Sequence, residues 1–124
     1  MMMQMDIEGY EWVTLQFSEK VKEFAQVIVE FHMNCGVPSE IKLDTLKFMN
    51  EHFVLVHIHG NNCPLQPWFD INLPVAFECT YVRKDLVTTS VIDDTQYPLK
   101  GLDFPNSPDF PDLPLNWWLH ESCF

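Results

Sequence analysis

Apolar and polar positions alternate in three stretches of the chain and recur at helical spacing between them. "MMMQMDIEG" opens as a short buried strand that turns at Gly9, where glycine lets the backbone swing. "YEWVTLQFSEKVKEFAQ" follows with Trp12, Leu15, Phe17, Val21 and Phe24 in an imperfect helical pattern, and Ser18 is placed to cap a second short helix inside it. "AQVIVEFHM" is a dense β-branched run, the mark of a central strand. Gly36 and Pro38 then break the chain. Ser39 is positioned to N-cap "EIKLDTLKFMNEH", with Ile41, Leu43, Leu46 and Phe48 for packing. "FVLVHIHG" reads as a strand stopped by Gly60, "NNCPLQPWFDINLP" as a loop, and "VAFECTYVRK" as a last strand. The order β-α-β-α-β-loop-β predicts an α/β domain. Its first three strands are expected as parallel neighbours with right-handed crossovers, and its last two as an antiparallel pair.

The pattern changes after residue 85, so residues 1–85 are expected to form the domain and 86–124 a tail. The tail holds Pro98, Pro105, Pro108, Pro111 and Pro114, five of the nine prolines, and excludes a regular helix or central strand. Leu102, Phe104, Phe110, Leu113, Leu115, Trp117 and Trp118 recur through it. These residues predict an extended segment that wraps the domain and docks its aromatics; the alternative is a disordered acidic tail.

With 124 residues the chain is one domain's worth, and its net charge of −11 narrows the partners. Seven Lys and Arg are too few for a phosphate backbone, and the charge also argues against anionic membrane surfaces. No apolar run has the length of a membrane span, and the start lacks a basic n-region, which together predict a cytoplasmic protein. Cys35, Cys63, Cys79 and Cys123 show no CxxC spacing; free thiols are expected rather than a zinc knuckle or disulfides.

Candidate chemistry gathers where the three parallel strands end, the edge at which open α/β sheets bind ligands. The first end carries Asp6, Glu8 and Gly9, the second Glu30 and His32, the third His57, His59, Asn61 and Asn62. Asp6 and Glu8, two apart on a strand, face one side and suit proton abstraction, hydroxyl binding or a cation; equally, they could cap the following helix. His32 alone more often marks a hydrogen-bonded, partly buried histidine. His57 and His59 have metal-ligand spacing, although a strand facing a polar cleft gives the same pattern. Asn61 and Asn62 also suit a plain turn. Glu78, between apolar neighbours, is expected to need Arg83 or a cleft histidine as partner. No GxGxxG, GxxxxGK[ST] or GxSxG motif is present.

Four segments in one order carry a resemblance. "MQMDIEGYEW" resembles the K-x-D-I-E-G-x-E step of the FkbM-type S-adenosylmethionine-dependent methyltransferases. "VIVEFH" resembles that family's next strand. "FVLVHIHGNNC" with "LPVAFECTYVRKD" resembles its later pair, and "LDFPNSPDFPDLPLNWW" the tail that closes several members. The resemblance implies the C-terminal half of a Rossmann-like class I methyltransferase sheet, strands four to seven with the last inserted antiparallel. The glycine-rich cofactor-holding half is not among these residues, so the chain is expected to be a truncated O-methyltransferase.

Carried over by position, the resemblance makes Asp6, Glu8 and His32 catalytic, with Asp6 the favoured base. It assigns Glu11, Glu30, His59, Asn61 and Asn62 to the acceptor, and Asp6 and Gly9 to the S-adenosylmethionine end. No metal is implied. The expected partners are a small hydroxyl acceptor, possibly a sugar, and a second copy paired through the bare first strand. Two other readings stand beside it: a non-catalytic acidic binding module derived from the same fold, and a metal-dependent hydrolase using Asp6, Glu8, His32, His57 and His59.

Overall fold

A computed structural model describes residues 1–62, 65–68, 71–89 and 94–115. Trp117, Trp118, Cys63 and Cys123 lie outside the described residues, or have side chains that do. The protein is a small α/β domain. Its elements run β1 (Met2–Met5), α1 (Glu11–Phe17), β2 (Gln26–His32), α2 (Ser39–His52), β3 (Phe53–Gly60), β4 (Leu65–Trp68), β5 (Ile71–Pro74) and β6 (Ala76–Arg83). A 3₁₀ turn, Glu19–Glu23, follows α1 after Ser18, where a second short helix is expected. Among the described residues no helix is long and apolar enough to cross a membrane.

Four strands form one mixed sheet in the order β1-β2-β6-β3. β1 and β2 are parallel; β6 runs antiparallel to both β2 and β3. The expectation of three parallel neighbours is thus corrected at β3, which runs with β2 but is held apart from it by β6. The reason lies in the 61–75 connection. It is not a plain loop but carries the antiparallel pair β4–β5, and it returns the chain between the two strands it has left. There β6 satisfies the backbone of both neighbours, whereas direct β2–β3 pairing would leave β6 an edge.

Val27, Val29 and Phe31 of β2 are buried on the face that receives α1 and α2. Trp12 and Leu15 of α1 have no exposed surface, and Trp12 packs its ring 4.4 Å from that of Phe31. Right-handed crossovers put both helices on this face, and the two contact each other through the Thr45 hydroxyl on the Trp12 carbonyl. In α2 the buried positions are Lys42, Thr45 and Met49, one step from the apolar set expected. Lys42 turns inward because its ammonium donates to the Met33 carbonyl at 2.6 Å, and Thr45 because its hydroxyl meets backbone carbonyls. Lys42 and Thr45 thus share the buried face of α2 with Met49, while Leu46 and Phe48 of the expected set pack against the core partly buried. Pro38, not Ser39, is the residue that precedes α2, and no side chain caps it.

The tail is held at chosen points. Leu115 is 2 % exposed and belongs to the core, and Leu113 and Tyr97 pack against it. Leu102, Phe104 and Phe110, expected to dock, are instead exposed. Polar anchors do the docking they were expected to do, as shown below.

Cys35 and Cys79 are free thiols. Burial pushes the Cys79 thiol up to about 12, which leaves it almost entirely protonated at neutral pH. Leu115→Ala is expected to cost about 2–5 kcal/mol, as for a buried leucine, and Phe104→Ala to stay within about 0.5 kcal/mol of the parent, both read from urea unfolding. Alkylation at pH 8 should modify Cys35 well before Cys79, measured by peptide mass after timed quenching.

Candidate functional site

β1 and β2 are parallel, so their carboxyl ends lie side by side, and the turn after β1 meets the last residue of β2. Asp6 and Glu8 do not sit on the strand, as expected from their spacing, because β1 stops at Met5. They lie in the turn that follows. Glu8 has φ of 55° and Gly9 of 104°, both in the left-handed region, and this reversal brings both carboxylates back towards His32. Gly9 fits for a second reason: a Cβ there would stand 2.5 Å from the Cβ of Cys35.

His32 is the centre of the arrangement. Its Nε2 lies 3.5 Å from Glu8 Oε2, 3.8 Å from Asp6 Oδ1 and 3.9 Å from Glu30 Oε2. Its Nδ1 lies 3.1 Å from Glu11 Oε1. Glu11 has no exposed surface. It accepts the His32 backbone N–H at 2.7 Å and the Gly9 N–H at 2.8 Å. A carboxylate already accepting two backbone donors takes the ring hydrogen as well, so the network assigns the proton of a neutral His32 to Nδ1 and leaves Nε2 as a lone pair facing outward. The next carbonyl is held just as firmly: the His32 carbonyl accepts from the Trp12 indole at 2.8 Å and from the Cys35 thiol at 3.1 Å.

Glu30 completes the rim. Burial, reinforced by the charge of Asp6, raises its carboxyl above the usual range, and His32 partly opposes this. Gly9, Asp6, Glu8, Glu30 and His32 are therefore gathered into one site, as their topology suggests.

The remaining candidates are placed elsewhere. Glu11, assigned to the acceptor by resemblance, is sealed from solvent and holds His32 and the turn instead. His59, 7 % exposed, reaches Asp112 at 3.0 Å, and Asn62 exchanges hydrogen bonds with Ser107 and donates to the Phe110 carbonyl. His57 pairs with Asp103 at 3.0 Å. These side chains fasten the tail to the end of β3, a structural role that stands beside the acceptor role the resemblance assigns to His59, Asn61 and Asn62. The Asn61 backbone donates to Ala76. Glu78 is exposed, so it has no need of the partner expected for it, and Arg83 binds Asp85 instead. What the sequence reading missed is the support: Trp12 and Lys42. A buried indole must place its N–H, and that was the available signal for Trp12. Lys42 gave none beyond lying between apolar residues.

A cavity of about 430 Å³ lies at the opposite end of the strands, walled by Lys22, Glu51, His52, Arg83, Lys84 and Asp85. Comparisons with family models, curated proteins and solved structures returned no match to this chain.

Replacing Glu11 with Gln turns one acceptor into a donor among three donors. It is expected to cost about 1–3 kcal/mol in urea unfolding, the scale of a buried unsatisfied group. Glu30→Gln tests the rim. A carboxyl raised in the folded state adds stability below its unfolded value, near 4.5, and loses it as pH rises through the folded value. The variant should therefore melt above the parent at pH 7, and the difference should close below pH 4.5.

Proposed function

We propose that this chain forms the acceptor-side half of an S-adenosylmethionine-dependent O-methyltransferase of the FkbM type. The observation that carries the reading is the strand order. An antiparallel β6 inserted between β2 and β3 is the arrangement that the resemblance implies for strands five, seven and six, with β1 as strand four. The motif "DIEGYE" then falls at the end of β1, beside His32 at the end of β2, and this is where such sheets bring ligands together.

The residues described do not by themselves make a cofactor site. No glycine-rich phosphate or nucleoside loop is in the sequence, and the cavity above is walled by charged groups unsuited to an adenine ring. In this reading a second copy pairs along the free edge of β1, where Met1 and Met2 are 77 % and 57 % exposed, and the joined sheet completes the cofactor site that one copy lacks.

The chain's own contribution is positioning and proton removal. An acceptor hydroxyl enters against Asp6, Glu8 and His32, fixed by the Glu11 network, and alignment of this kind supplies much of the rate in group transfer. Its proton passes to Asp6, beside Glu30, whose own carboxyl is raised by burial and by the charge of Asp6. A neutral polyol such as a sugar suits a rim made of carboxylates.

Calorimetric titration with S-adenosylhomocysteine across a range of protein concentrations, with mass by light scattering on the same samples, tests the reading. Saturable binding by a species paired through β1 is expected. A folded protein that binds none in any state of association overturns it. In the binding species, Asp6→Asn should lower methyl transfer to a sugar acceptor about 100-fold or more.

A further inference from the structure

The three carboxylate oxygens around His32 Nε2 stand at unusual distances. Separations of 3.5 Å, 3.8 Å and 3.9 Å from Nε2 to Glu8, Asp6 and Glu30 are too long for charge-assisted hydrogen bonds, which draw N and O to about 2.7–2.9 Å. Two ligands about 2.1 Å from a metal lie roughly 3.4 Å apart at a tetrahedral angle and at most about 4.2 Å apart. The 3.5 Å to Glu8 is therefore close to a shared tetrahedral cation, and the 3.8 Å to Asp6 lies within the reach of one at a wider angle. We infer that Asp6, Glu8 and His32 form an open binding site for a first-row divalent cation of the Zn²⁺ or Mn²⁺ class.

Three features carry this. One donor atom from each of Asp6, Glu8 and His32 lies within 4.8 Å of the other two. The imidazole is held from behind, its Nδ1 on the carboxylate of Glu11, which has no exposed surface and is not itself a member of the cluster. That is the outer-shell arrangement that fixes a metal-binding histidine in the correct tautomer and orientation. Its consequence is the third feature. With the hydrogen on Nδ1, the outward Nε2 lone pair faces carboxylate oxygens alone. The ion pairs of Asp6, Glu8 and Glu30 within 4 Å run to His32 and, among the described residues, to no lysine or arginine. A cation between them satisfies all of these acceptors at once.

The donor set selects the metal. One imidazole nitrogen and two carboxylates suit Zn²⁺ or Mn²⁺, whereas Mg²⁺ and Ca²⁺ prefer oxygen alone. Three protein ligands on the exposed side of a turn leave positions open for water or an acceptor oxygen. His57 and His59 are not part of this site, since each is engaged by a tail aspartate. The inference goes beyond the methyltransferase reading and does not depend on it, because cation binding is measured without cofactor.

The test is calorimetric titration of the chelator-treated full chain with ZnCl₂. The variants are Asp6→Asn and Glu8→Gln, whose side chains are 53 % and 83 % exposed and leave the core untouched. His52→Gln, distant from the site, is the control. One Zn²⁺ per chain is expected, weakened about tenfold or more by either carboxylate variant and unchanged by His52→Gln. Glu11→Gln should weaken binding about 10–100-fold without removing a ligand. Equimolar Mg²⁺ should not compete. Absence of saturable binding at roughly 100 µM Zn²⁺, or binding that survives the Asp6→Asn/Glu8→Gln double variant, overturns the site and leaves only adventitious uptake by other histidines.

Discussion

A carboxylate with no exposed surface must be met by donors, and the way Glu11 is met organises the functional end of this protein. It takes the Gly9 N–H from the turn after β1 and both the backbone and ring hydrogens of His32 from the end of β2. Burying a carboxylate without such partners costs several kcal/mol, so these contacts have to form together or not at all. One side chain at the start of α1 thereby ties two strand ends and a helix. The left-handed backbone at Glu8 and Gly9 follows from the same demand: the turn has to fold back far enough to present the Gly9 N–H, and in doing so it swings Asp6 and Glu8 in front of the imidazole. The geometry of the exposed groups is a consequence of the buried one.

The His32–Met33 step is correspondingly rigid. Its carbonyls accept from the Trp12 indole and the Lys42 ammonium, and the Met33 N–H donates to Val75. Trp12 lies beneath the Lys42 ammonium, which is 5.8 Å from its ring centre. A cation on an aromatic face, hydrogen-bonded to a carbonyl, tolerates burial better than a bare ammonium. Two helices and two strands thus converge on two residues, and a site supported this way holds its geometry before any ligand arrives.

Much of this was legible in the chain. The β-branched and apolar runs in "AQVIVEFHM" and "FVLVHIHG" locate β2 and β3, and Gly9 marks the turn after β1, although Asp6 and Glu8 lie in that turn and not on the strand their spacing suggests. Local pattern could not reveal that β6 would enter between β2 and β3, because insertion depends on pairing across 56 residues for Gln26 with Val82 and 30 for Phe53 with Arg83; only the resemblance anticipated it. Nor could it separate Glu11 from Glu8. Both are acids three residues apart, yet one is sealed and the other 83 % exposed. The helical phase of α1 decides that, by placing Glu11 beside the core residue Trp12. The tail misled for a related reason. Its aromatics look like anchors, but the chain is fastened through Asp103 and Asp112 to the two histidines of β3, while Phe104 and Phe110 face solvent.

The protein carries a net charge of −11. Lys22, Arg83 and Lys84 line the cavity at the starting ends of β2 and β3 together with Glu51 and Asp85, which offset them, whereas Asp6, Glu8 and Glu30 surround His32 at the finishing end of β2 with no lysine or arginine within ion-pair reach among the described residues. His57 and His59 are each engaged by a tail aspartate, away from that rim. Unoffset negative charge is therefore concentrated around His32, and at physiological salt its field extends about 8 Å into solvent. Such a field draws cations to the imidazole and repels anions from it. It therefore argues for a ligand there that is positive or rich in hydroxyls, and against phosphorylated or carboxylated molecules of the same shape.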